Sequence, residues 1–168
     1  KTQELSNCLW AAANLKDISR EVLSIVPSVS EGLSEAASSK ELLPQHLSNC
    51  LWASAQLKDG PKGREVLKAL PAILHSLPSV ADMNPQEVAN CLWATAHLQD
   101  VCRGVLKSVP FLVERLVETL DGMKPQELSS CLMASARLEA TTPEVLKFLA
   151  PLLADTSNQV WPRGLRDG

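Results

Sequence analysis

Four polar side chains, Asn14, Gln56, His97 and Arg137, lie 42, 41 and 40 residues apart, each one position before a leucine. All four can hydrogen-bond a base edge or a polar group on a partner, and no two are alike. A basic series keeps nearly the same step: Arg20, Arg64 and Arg103, with Lys68, Lys107 and Lys147 four residues beyond the matching positions. Cations in that pattern suit phosphate contacts. A third series is Asn7, Asn49 and Asn90. One variable hydrogen-bonding position per unit, in an otherwise constant frame, is what a modular reader of RNA requires. Two readings remain open for the variable column: base contacts, or an exposed position free to drift. Solvated surface charge is likewise the second reading of the basic series. The asparagines serve equally as orienting groups along the array or as contacts.

Other chemistries find no support. His46, His75 and His97 share no spacing with one another or with the five cysteines that suits a metal. No phosphate-binding glycine loop or nucleophile elbow occurs. No catalytic residue, metal, cofactor or small-molecule ligand is expected.

The elements that position these residues form a repeat. QELSNCLWAAANL from Gln3, QHLSNCLWASAQL from Gln45, QEVANCLWATAHL from Gln86 and QELSSCLMASARL from Gln126 align without gaps. A second segment follows each: REVLSIVPSVSEGL, REVLKALPAILHSL, RGVLKSVPFLVERL and PEVLKFLAPLLADT. Two unlike segments recurring together at this period mark a stacked array, whose units bury their apolar faces on neighbours. The fold class is therefore all-α, an α-solenoid of about four helix-turn-helix repeats. The units span 1–42, 43–83, 84–123 and 124–155, with a tail over 156–168.

Each first segment is rich in Ala and Leu and predicts a helix, Gln3 to Lys16 in the first copy. Pro44, Pro85 and Pro125 sit where such a helix starts, with Asn84 a sound N-cap and Leu43 and Lys124 poor ones. Pro27, Pro71 and Pro110 predict a short helical turn, a break, then the main body of the second helix. On a helical wheel Leu5, Cys8, Leu9, Ala12 and Leu15 share the buried face. Gln3, Asn7, Trp10 and Asn14 share the opposite one, as do their counterparts in the other copies. Trp10, Trp52 and Trp93 suit wedging between repeats better than stacking on bases. Met133 replaces them in the fourth copy as a gap filler. The cysteines recurring at 8, 50, 91 and 131 read as core.

Composition narrows the function classes. The chain has 168 residues, 45% hydrophobic and 21% charged, enough to bury a core. A net charge of -3 argues against coating nucleic acid by bulk charge, though not against a local basic edge. The acidic residues Glu31, Glu35, Glu114, Glu118 and Asp121 gather toward the far end of the second helices. No apolar run approaches the ~20 residues of a membrane span. The chain opens KTQELSNC, so any targeting segment lies outside these residues.

The first-helix motif P-Q-E-L-S-N-C-L-W-A-x-A-x-L resembles the octotricopeptide repeats, helical-repeat proteins of mitochondria and chloroplasts. The family typically shows P-Q-x-L-A-N-x-L-W-A-x-A-x-L in units of about 38–40 residues. The likeness runs over roughly residues 1–155. It implies an α-solenoid, an organellar location (mitochondrial in preference to plastid) and RNA binding, with other organellar subunits as partners. The P-P-P-E-W segment of many green-algal members is absent, and the units here are slightly longer. The expected function is RNA binding through the polar face of each first helix, with phosphates held at the turn into the second. The rival is a scaffold subunit of a large organellar assembly such as a mitochondrial ribosome.

Overall fold

The computed structural model describes residues 1–39, 42–75, 80–138 and 141–142. The expected second helix of the fourth unit, with Pro143, Lys147 and Pro151, and the tail 156–168 lie outside the described residues. Within them the chain is all-α. The first helices are α1 (Thr2–Leu15), α3 (Pro44–Leu57), α5 (Pro85–Leu98) and α7 (Pro125–Leu138). The second helices are α2 (Val26–Ser38), α4 (Gly63–His75) and α6 (Val109–Thr119). The first helices stack in order, α1 on α3 on α5 on α7, and each of α2, α4 and α6 packs on the first helix of its own unit. In the second layer α2 lies along α4, and α4 meets the turn that leads into α6.

Helix starts follow a rule that the N-cap residue types alone do not disclose. In α3, α5 and α7 the side chain three residues after the N-cap accepts the N-cap backbone N–H. Leu43 N–H donates to His46 Nδ1 at 3.2 Å, Asn84 N–H to Glu87 Oε2 at 2.9 Å, and Lys124 N–H to Glu127 Oε2 at 2.8 Å. Asn84 also accepts from Glu87 N–H at 3.0 Å, completing a reciprocal capping box. Leu43 and Lys124 are poor caps by side chain, yet their backbone donors are satisfied from within the helix.

The prolines behave as expected in two units. Short 3-10 segments, Arg20–Ile25 and Arg103–Ser108, precede α2 and α6, and Pro27 and Pro110 fall in the first turn of the helix proper. The second unit differs. Pro71 lies inside the unbroken helix α4, on its exposed side. Here the helix already begins at Gly63, two turns before the proline, so Pro71 has become an interior residue. Its fixed φ is helical; what it lacks is one N–H, on a face that water reaches.

Gly63 makes that early start possible. It is buried, and a Cβ there would lie 2.0 Å from the carbonyl oxygen of Lys58 and 2.8 Å from that of Leu57. The tight passage from α3 into α4 therefore has no room for a side chain. Gly32 performs a milder version of the same service, with a Cβ position 3.0 Å from Leu5 Cδ1 where α2 crosses α1.

Burial corrects one face assignment. Leu9 and Ala12 are buried as expected, but Cys8 is exposed and Leu15 is 41% exposed. Their counterparts Cys50, Cys91, Cys131, Leu57, Leu98 and Leu138 are all buried. These two columns face the preceding first helix, not the second helix of their own unit. Among the described residues no helix lies on that side of α1. Burial pushes the thiols of Cys50, Cys91 and Cys131 up to about 12, so they stay protonated and inert at neutral pH. Fully buried leucines such as Leu51, Leu70, Leu92 and Leu112 contribute roughly 1.5–3 kcal/mol each to this core.

Two outcomes check this packing. Gly63→Ala lowers stability by about 1–3 kcal/mol in urea unfolding, against a change within about 0.5 kcal/mol for Gly122→Ala. The added Cβ at Gly122 would meet Pro85 Cγ at an ordinary 3.5 Å. Equal effects at the two sites would rule out the close approach. In the native protein, alkylation mapped by mass spectrometry modifies Cys8 and leaves Cys50, Cys91 and Cys131 unmodified until denaturant is added.

Candidate nucleic-acid interface

The wheel places one stripe of each first helix away from the core, and the structure keeps it at the surface. Gln3, Asn7, Trp10 and Asn14 are exposed; in α3 and α5 the matching residues are exposed or half-buried. Their burial grows in the middle of the stack because neighbouring units cover their flanks. The tryptophans form a continuous ladder. Trp10 and Trp52 have ring centroids 6.1 Å apart at 33°, and Trp52 and Trp93 lie 6.4 Å apart at 32°. They meet each other between units, as expected, and Trp10 also leaves 45% of its surface open. Met133, in the same column of α7, is 59% exposed.

The variable column runs beside that ladder. Asn14, which is exposed, donates from Nδ2 to the Trp10 carbonyl at 2.8 Å. Gln56 is half-buried, with Oε1 3.5 Å from Lys16 Nζ. The His97 ring stacks on Trp93 at 3.9 Å and 26°. Its Nδ1 lies 2.7 Å from the Trp93 carbonyl, and Arg137 Nη1 lies 3.2 Å from its Nε2. Arginine only donates, so Nε2 is the acceptor and Nδ1 carries the proton toward the carbonyl. Both ring nitrogens are thereby used, and His97 has no free edge for a base. Desolvation pulls its pKa below the ordinary imidazole range against the Trp93 hydrogen bond, with the charges of Arg137 and Lys58 lowering it further. Arg137 itself is exposed.

The asparagine column is partly tied along the stack. Asn49 Nδ2 donates to Asn7 Oδ1 at 3.3 Å. Asn90 stands apart from that pair, in a small cleft with Gln86, Gln126 and Ser130.

The basic residues are exposed at the edge where first helices turn into second ones. Arg20 shares an open cleft of about 360 Å³ with Gln56, Lys16 and Lys62, and with Asp17 and Asp59. This cleft brings together one proposed base contact and one proposed phosphate contact. Arg64 and Arg103 are exposed without being drawn into it. Lys68 pairs with Glu65 at 3.1 Å and lies in a cleft with Glu31, which weakens its claim on a phosphate. Lys107 is exposed beside His75 and Cys102.

One functional column escaped the sequence reading. Lys16, Lys58 and Gln99 each follow the closing leucine of a first helix. Lys16 Nζ donates to the Gln56 carbonyl at 2.6 Å, and Gln99 Nε2 donates to the Arg137 carbonyl at 3.0 Å. Lys16 and Gln99 thereby cap an orphan carbonyl at the end of the next unit's first helix, whereas Lys58 pairs with Asp59 at 3.1 Å. Thr141 in turn donates to Gln99 Oε1 at 2.7 Å. The signal was available as a long polar residue recurring beside the variable column.

Among the described residues no group of three or more His, Cys, Asp or Glu is placed to hold a metal ion. No described helix is long and apolar enough to cross a membrane. Comparison with protein-family models, with curated proteins and with solved structures finds no match.

The His97–Arg137 contact makes a pH prediction. The folded state favours neutral His97, so the unfolded chain binds the extra proton first on acidification. His97 therefore contributes stability that is complete near neutral pH, begins to be lost as pH falls to the ordinary imidazole value, and goes on being lost down to its lowered folded-state value. Arg137→Ala removes one of the charges holding its pKa down, and its midpoint in imidazole NMR moves upward. An unmoved midpoint would show that the pair does not form in solution.

Proposed function

We propose that this chain is an octotricopeptide-repeat-like organellar protein that binds single-stranded RNA along the exposed face of its first-helix stack. The observation that carries the reading is positional. The variable column, with Asn14, Gln56 and Arg137 as its contacting members and His97 holding Arg137, runs beside the tryptophan ladder, and exposed arginines stand at the turns into the second helices. Aromatic rungs, polar side chains at unit spacing and a flanking cationic edge are the three parts a single-strand binder combines. Four units contact about four nucleotides, so affinity is modest and shared with further repeats or partners. Mitochondria are the favoured compartment, on the family resemblance alone.

A second reading is a scaffold subunit of an organellar assembly. It is favoured by apolar side chains left open on α6, with Phe111 59% and Val117 44% exposed. Such a subunit also touches RNA, so the two readings overlap at the first-helix face.

The deciding measurement is RNA affinity across a salt series for the wild type and for Arg64→Glu, Arg103→Glu, Lys107→Glu combined. Three lost phosphate contacts shallow the log–log salt slope by about 2, since each single-strand contact is worth ~0.7. An unchanged slope and affinity would sink the phosphate edge. If the wild type binds no RNA, the scaffold reading takes its place.

A further inference from the structure

We propose that the fourth unit selects guanine, with Arg137 as the specificity-determining side chain and His97 as the residue that positions it. The proposal rests on the single-stranded RNA reading above and names what one unit recognises.

The candidate side chains differ in how many of their polar groups are already paired. His97 spends Nδ1 on the Trp93 carbonyl and Nε2 on Arg137. Asn14 spends its amide nitrogen on the Trp10 carbonyl. Arg137 carries five N–H donors and gives one to His97. Among the described residues no carboxylate or carbonyl takes the others, and the side chain is exposed on the first-helix face. The guanidinium is therefore held from behind. Trp93 fixes the imidazole by stacking and by its carbonyl, and the imidazole fixes one edge of the guanidinium. The side chain is exposed, and its remaining donors lie in the plane of the same guanidinium, available as a fork.

That fork matches two neighbouring acceptors on one base edge. Guanine offers O6 and N7. Adenine places an amino donor beside N7, and uracil places an N–H beside O4, so each meets the fork with one repulsive contact. Cytosine presents O2 and N3 but a smaller ring. Met133, one turn before Arg137 on the same face and 59% exposed, offers a sulfur platform that favours the larger purine. The order expected at this unit is guanine, then cytosine, then adenine and uracil.

The test uses the full chain and labelled oligouridine carrying one central G, C or A, with affinity read by fluorescence anisotropy. A single substituted base lets the strand slide until that base meets the fourth unit, so strand polarity need not be known. The wild type prefers the G-bearing strand by about 5- to 150-fold over oligouridine, the span of one good bidentate pair. Arg137→Gln, at an exposed position, moves the preference toward the A-bearing strand. His97→Leu lowers the G preference, and His97→Gln, which keeps an acceptor within reach, restores it. Binding without base preference, or a G preference that survives Arg137→Gln, overturns this inference and leaves the RNA reading intact. Equal loss on all strands with a shallower salt slope places Arg137 on phosphate and also overturns it. No binding to any strand by the wild type removes both readings together.

Discussion

The structure depends on how closely consecutive first helices approach. Most side chains at the facing positions are small: Cys50, Cys91 and Cys131, with Ala53, Ala94 and Ala134, are completely buried, and the closing leucines Leu57, Leu98 and Leu138 are the large exception at the helix ends. Helices packed at interaxial distances of roughly 8–10 Å leave little volume there, and larger residues would separate the units. Ser54 and Ser135 add hydroxyls to the buried side without leaving them unpaired, donating to the carbonyls of Cys50 at 2.7 Å and Cys131 at 2.8 Å. Thr95, in the same column, has a buried hydroxyl with no partner among the described residues. An unmade hydrogen bond of that kind costs about 1–3 kcal/mol, and the methyl group of threonine offsets part of it by packing.

That spacing also builds the outer face. Once the small columns set the distance between helices, equivalent side chains on the far side must come near one another. The indole rings meet at 6.1 and 6.4 Å for this reason, within the range in which tilted aromatic pairs attract. The Asn7–Asn49 and His97–Arg137 contacts arise in the same way, each joining residues about one repeat apart. Lys16 and Gln99 tie the ends of the helices across the same gap. Surface order is thus inherited from core spacing.

Much of this was legible in the residues. The recurring Cys and Leu anchors fix the period, the alanine-rich segments fix the first helices to within a residue, and the wheel separates the polar stripe from the core. What the wheel could not do was distinguish burial within a unit from burial between units. Cys8 and Leu15 occupy the same columns as Cys50 and Leu57 yet are exposed, because what covers a column is the preceding helix. Pro71 misled for a local reason: a proline permits a helix start without requiring one, and Gly63 moved the start upstream. The polar type of His97 suggests a reader, and only the fold shows that both its nitrogens are engaged. The caps from His46 and Glu127 hide behind N-cap residues of unpromising type.

The tryptophan ladder carries one more consequence. Indoles this close share their excited states, so absorption in one ring is felt by the next. Their optical signal therefore depends on the spacing and tilt between units as well as on each ring. A solenoid that bends or twists as it wraps a ligand changes both quantities at every rung. The protein consequently holds an internal strain gauge along its own axis, reading curvature as a spectral change without any added label.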